Sequence, residues 1–239
     1  MHEFLFGIYP YICLSVLLVG SIVRYERDPF TWKSSSSQLL RRKQLIAGSV
    51  MFHTGVLIVF FGHLVGLLTP IQLFDMLGIS HSFKQALAIV VGGVAGLLAL
   101  AGGLMLLHRR LRDPRIRRTS SFADIGILVL LVVQLLLGLA TIAISLQHLE
   151  GGQMVAFMAW SIGIFTFDIS AASYITDAHI IFKIHIFLGL TIFLLFPFTR
   201  LVHMLSAPIG YIFRPGYQVV RSRRKAASTD SSSAHAQGG

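Results

Sequence analysis

Four histidines carry the chemistry that this sequence offers. His53 and His63 stand ten residues apart on one apolar stretch, and His185 and His203 eighteen apart on the last one. An ionisable side chain inside a membrane span is costly, and it faces a partner in the bundle or a cavity rather than lipid. Neutral imidazole is a good transition-metal ligand, and two imidazoles from facing helices offer the two axial nitrogens of a haem iron. With both axial positions filled, such an iron transfers electrons and does not bind oxygen. The expected cofactors are therefore two stacked b-type haems. Packing or helix-end histidines are the competing reading.

The elements that must position these rings follow from composition. The chain has 239 residues, 54% hydrophobic and 13% charged, with a mean hydropathy of +0.74, which places it in the membrane class. Five stretches reach the roughly 20 apolar residues that a spanning helix needs: 4–23, 45–68, 86–107, 123–145 and 180–203. None alternates apolar with polar residues, which argues against a membrane β-barrel. The expected fold class is all-α, an integral membrane bundle of five transmembrane helices. One domain, 1–225, holds the helices, and the Ser/Ala/Gly-rich tail 226–239 has a composition that predicts disorder. The first span lacks a basic flank and a small-residue cleavage site, so it reads as a retained helix. Its Cys13, the one cysteine of the chain, reads as a packing residue.

The formal charge of +10 is distributed unevenly. If the helices alternate in direction, eighteen of the twenty Lys and Arg residues fall on one side, leaving Lys84 and Lys183 on the other. That bias puts the N-terminus outside and the C-terminus in the cytoplasm. It also excludes nucleic acid as the reason for the charge: the partners are the lipid bilayer and another subunit.

Topology tests the histidines. With helices two and five antiparallel, pairing by depth gives His63 with His185 near the outside and His53 with His203 near the inside. Ten residues of helix rise about 15 Å and eighteen about 27 Å, a disagreement of about 12 Å that tilt and a kink at Pro197 must absorb. Eighteen residues make five whole turns, so His185 and His203 share a face, whereas His53 and His63 stand about 80° apart. Gly55, Gly62 and Gly189 are expected to leave room for a flat macrocycle against the backbone.

Several runs resemble a known family. They are Tyr9-Pro10-Tyr11, Thr31-Trp32, Ser36-Ser37-Gln38, Phe52-His53-Thr54-Gly55, Gly62-His63 and Leu68-Thr69-Pro70. Further along come Arg109-Arg110-Leu111, Pro114-Arg115, Ala123-Asp124-Ile125 and the run from Phe193 to His203, the most specific of all. The chain resembles the gamma subunit, the membrane cytochrome b, of respiratory membrane-bound nitrate reductase, from Ile8 to about Arg223. The resemblance implies a bacterial or archaeal cytoplasmic (inner) membrane protein that oxidises a membrane quinol near the outer face. It implies an outer haem on His63 and His185 and an inner haem on His53 and His203. From there electrons would reach an iron–sulfur beta subunit and a molybdenum alpha subunit that reduces nitrate to nitrite. Quinol would bind beside the outer haem, with Lys84 contacting it and Gly62 in the same substrate site.

Lys84 fits that role physically, because a cation at the start of helix three can steady negative charge developing on a quinol oxygen. The opposing reading is an interfacial lysine snorkelling to head groups. Arg109, Arg110, Arg112 and Arg200 are candidates to pair with inner haem propionates, against a purely topological role. Two rival functions stand beside the main one. One is a di-haem quinone-linked anchor of another oxidoreductase, such as a formate dehydrogenase, hydrogenase or heterodisulfide reductase-like complex. The other is a haem-free membrane anchor or transporter.

Overall fold

A computed structural model describes residues 1–32, 40–147 and 151–206; the predicted tail 226–239 and most of the first basic connector lie outside the described residues. Every regular element within them is helical: α1 (Phe4–Arg27), α2 (Arg42–Leu68), α3 (Ile71–Met76), α4 (His81–Arg112), α5 (Pro114–Arg118), α6 (Phe122–Ser145), α7 (Gly152–Phe165) and α8 (Ile180–Leu195). Five are long and apolar enough to cross a membrane: α1, α2, α4, α6, and α8 with the turn that extends it to Phe198. Their most apolar windows are at most 28% buried. Rows such as Leu18, Val19 and Ile22 on α1, or Val90, Val94 and Leu97 on α4, face outward, as lipid-facing helix surfaces require.

Local chemistry sets the boundaries. Thr69-Pro70 ends α2, because the residue before proline is driven out of the helical region, and Thr69 is extended. Ser80 caps α4 by accepting the Phe83 N–H at 3.2 Å. Asp113 caps α5 ahead of Pro114, and Ser121 with Asp124 forms a reciprocal capping box on α6.

The spans pack in the order α2, α4, α6, α8, α1. Close approach of α2 and α4 rests on glycine. A Cβ at Gly55 would lie 2.4 Å from the Ala95 carbonyl oxygen, and one at Gly102 would lie 2.4 Å from the Phe52 nitrogen. Small residues at helix crossings permit such backbone contact in lipid.

The long connection before α8 holds α7, which is apolar but too short to span. Trp160 of α7 donates its indole N–H to the Phe6 carbonyl at 2.9 Å, and Phe6, Trp160, Ile164 and Ala172 share a small core. In the turn beyond α7, the Ser170 hydroxyl and N–H and the Tyr174 hydroxyl donate to Asp168, holding its carboxyl below the usual range.

The fifth span departs from expectation. The sequence predicts one helix through His203, but α8 ends at Leu195, followed by a 3₁₀ turn at Phe196–Phe198, extended Thr199 and a second 3₁₀ segment at Arg200–Ser206. Pro197 is the cause: it lacks an N–H, and its ring collides with the carbonyl four residues back. The carbonyls freed by the break are satisfied from α1, where Arg24 donates to Pro197 at 2.5 Å and to Thr199 at 2.8 Å. Gly20 of α1 makes room for the proline ring, since a Cβ there would lie 2.8 Å from Pro197 Cγ. Arg200 pairs with Asp124 at 3.1 Å, tying the second 3₁₀ segment to α6.

Candidate functional site: two pairs of facing imidazoles

The structure brings the four histidines together in the two predicted pairs. The ring centroids of His63 and His185 lie 6.2 Å apart, and those of His53 and His203 are also 6.2 Å apart. The conflict between ten and eighteen residues disappears with the break in α8. From His185 to Leu195 is ten helical residues, a rise of about 15 Å that matches the span from His53 to His63 on α2. The residues after Pro197 then redirect the chain and present His203 at the level of His53.

The pairs fit one metal each. A metal–imidazole bond is about 2 Å long, and a ring centroid lies about 1 Å behind its nitrogen, so two rings across one metal stand about 6 Å apart. Among the described residues no group of three or more His, Cys, Asp or Glu side chains gathers. Neither pair therefore completes a tetrahedral set of protein donors, whereas a porphyrin supplies the four equatorial nitrogens that a two-imidazole site lacks. The surroundings agree. α2 packs on α4 and α7, and α8 on α6 and α1, so the imidazoles of α2 face those of α8 and of the 3₁₀ segment beyond it, while both helices have their main partners elsewhere. His53 and His63 are exposed on α2 and turned toward His203 and His185, and exposed imidazole in hydrocarbon calls for a partner.

Hydrogen bonds fix three of the rings. Nδ1–H donates to the Ser49 carbonyl from His53 (2.8 Å), to the Val59 carbonyl from His63 (2.8 Å) and to the Arg200 carbonyl from His203 (2.5 Å). A carbonyl only accepts, so the proton sits on Nδ1 and Nε2 keeps the lone pair a metal needs. His185 is set differently: its ring lies on Gly138 of α6, where a Cβ would come within 3.1 Å of Cε1, and beside the amide of Gln134. The sequence reading passed over Gln134 and Gly138. The available signal was Gln134 itself, the one side-chain amide in the apolar run of α6.

The glycine expectation is corrected in two of three places. Gly55 is filled by α4, and Gly189 admits Gln134 Nε2, 3.1 Å from where its Cβ would stand, so both serve helix packing. Gly62 has open space within 4 Å, next to His63.

Lys84 sits in the first turn of α4 and is only 8% exposed. Its Nζ lies 2.7 Å from Met158 Sδ of α7 and 3.8 Å from the Phe74 ring centroid of α3. A thioether and an aromatic face are soft, weak partners for an ammonium. The side chain is thus turned inward beneath α3 and α7 rather than extended along the surface. One turn before it, His81 meets Asp75 at 3.0 Å. His2 bonds the Ala172 carbonyl and His179 caps α8, roles that need no metal. At the opposite end Arg109, 1% exposed, donates to the Leu40 carbonyl, Arg110 to Ser120, and Arg41 pairs with Asp113.

Known proteins share this arrangement of sequence. Residues 2–223 match the family described as nitrate reductase gamma subunit. The respiratory nitrate reductase 2 gamma chain of Escherichia coli (strain K12) is 45% identical over 94% of this chain and 98% of its own length. The respiratory nitrate reductase 1 gamma chain of the same organism is 44% identical, and the nitrate reductase gamma chain of Bacillus subtilis (strain 168) is 41% identical, each over 98% of its own length. A five-span helical protein with that coverage and identity belongs to the nitrate reductase gamma subunit family.

Proposed function

We propose that the chain oxidises a membrane quinol beside His63 and Lys84 and conducts its electrons to cytoplasmic iron–sulfur and molybdenum subunits that reduce nitrate to nitrite. The observation that carries this reading is the pair of facing imidazoles repeated at two levels between the same two segments. His63 and His185 would hold the outer haem, and His53 and His203 the inner one. Haem b supplies one-electron transfer, and two of them give the two electrons of a quinol a path from one membrane face to the other.

The chain's own residues supply the rest. Backbone carbonyls hold three imidazoles in the ligating tautomer and keep their lone pairs aimed into the gap. Lys84 offers an N–H donor where α4 begins, at the end of the bundle nearer the His63–His185 pair, and a quinol oxygen is a better acceptor for it than the Met158 thioether. Donation from that ammonium steadies the oxygen as its proton leaves, and Gly62 leaves the adjoining space free. The surplus of Lys and Arg at the opposite end supports an external N-terminus and a cytoplasmic C-terminus. Protons are then released outside while electrons travel inward. Electron movement in that direction works against the membrane potential at about 2.3 kcal/mol per charge per 100 mV, so the reaction stores energy as potential.

Haem content and the reduced b-type spectrum of the purified complex test the reading, together with quinol-dependent nitrate reduction. Two haems per chain, lost one at a time as each pair is replaced, are expected. A complex that reduces nitrate from quinol with no b-type haem would refute it. The rival assignment to a formate dehydrogenase or hydrogenase anchor predicts different copurifying subunits.

A further inference from the structure

The interface of α6 and α8 is built from two reciprocal cradles. Gly138 of α6 receives the His185 ring of α8, and Gly189 of α8 receives the Gln134 amide of α6, each at 3.1 Å from the position a Cβ would take. The spacing is the same on both helices, 134 to 138 and 185 to 189, one helical turn that puts each pair on a single face. Gln134 donates from Nε2 to the His185 carbonyl at 3.1 Å, and the same nitrogen stands 3.4 Å from Nε2 of the His185 ring.

Two polar atoms are left over at this place. Gln134 Oε1 and His185 Nδ1 are both buried, and neither has a hydrogen-bond partner among the described residues. Burying an amide in an apolar span costs free energy unless the group has a task there. The other three histidines take their orientation from a carbonyl of their own segment. His185 has no such carbonyl, and the polar group at its ring comes from a neighbouring helix.

We propose that Gln134 is a positioning residue for His185. Its amide nitrogen, held on the His185 carbonyl, stands beside the imidazole, sets the ring's orientation on Gly138, and through that orientation governs how the ring donates to the outer haem. This rests on the proposed function. The groups packed around a ligating imidazole fix its orientation and tune the metal it holds, so the outer midpoint potential answers to position 134 and the inner one does not.

The test is a potentiometric titration of the b-type haems in the intact complex, with the low-spin ferric electron paramagnetic resonance signal of each, in Gln134→Leu and Gln134→Glu. The haem absent from His63→Leu identifies the outer signal. Gln134→Leu is expected to move the outer midpoint and its low-spin signal, Gln134→Glu, which sets a carboxylate beside the ring, to lower that midpoint, and both to leave the inner haem unchanged. If Gln134→Leu sheds the outer haem while Gln134→Glu retains it, the assignment is equally supported. Loss of the outer haem from both variants makes the residue a packing element and overturns the assignment, as do two midpoints that stay fixed or move together. Haem missing from the unmutated complex sinks the proposed function and this inference with it; two haems indifferent to Gln134 sink this inference alone.

Discussion

Gly102→Ala places the smallest possible side chain where α2 and α4 touch, and its consequence is calculable. The new Cβ would stand 2.4 Å from the Phe52 nitrogen, with the Gly48 carbonyl oxygen at 2.7 Å. Ordinary heavy-atom contact begins near 3.5 Å, so the two helices must part by about 1 Å. Overpacking of this kind costs about 1–3 kcal/mol, and the better helix propensity of alanine returns about 0.5–1 kcal/mol. The net is a loss of up to about 2.5 kcal/mol. Because Phe52 immediately precedes His53, the displacement falls on the inner pair. Gly92→Ala on the same helix is the internal control: its Cβ would meet nothing within 4 Å, so only the propensity gain remains. Thermal unfolding followed by haem absorbance should put Gly102→Ala below the unmutated complex and Gly92→Ala level with or above it, with the inner haem released first in Gly102→Ala. Equal unfolding midpoints and haem contents in the two variants would refute the backbone-contact argument.

Replacing His53 by Leu should remove the inner haem and leave the outer one reducible by quinol but unable to pass electrons on, whereas His63→Leu should abolish quinol oxidation; stopped-flow haem reduction separates the two. Lys84→Ala deletes one charged donor, worth about 1.5–3 kcal/mol, so kcat/KM for quinol should fall about 10- to 100-fold with both haem spectra intact. An unchanged kcat/KM would remove Lys84 from the substrate site. Pro197→Ala restores a backbone donor and lets α8 run on past Leu195, which carries His203 away from His53. A haem count should then show one haem, the outer, and two retained haems would contradict the role given to the break.

The bundle, the five spans and the pairing of the histidines were legible because each rests on residue type and order alone. Twenty apolar residues have few other solutions, and antiparallel helices can match His53, His63, His185 and His203 in depth only one way. Lys84 stood out for the same reason, as one of two cations on its side. The extent of α8 was less legible. Pro197 signalled a kink, but a clean break depends on Arg24 and Gly20, residues of α1 that stand about 175 positions earlier in the chain. Gly55 and Gly189 were misjudged because a glycine in a span serves a cofactor or a neighbouring helix equally well, and only the packing decides. Gln134 was passed over because a single amide means little until the ring it touches is known.

The arginines that give the chain its charge bias also do structural work, and the two roles have one origin. α1, α4 and the fifth span end on the basic side, so their last carbonyls and the negative ends of their dipoles collect there. Arg24 answers the carbonyls of Pro197 and Thr199, and Arg109 reaches the Leu40 carbonyl just before α2 begins. α2 and α6 begin on that side, and Asp113 and Asp124, which cap helices, are paired by Arg41 and Arg200. A residue that gives this side its charge is thus also the residue able to close a broken helix there. Breaking the fifth span at the opposite end would leave the same carbonyls to a side that holds two cations, Lys84 and Lys183, of which Lys183 already donates to the Thr176 carbonyl. The chain places its helix break, and the approach of His203 to His53 that depends on it, at the one end of the bundle where arginine is plentiful.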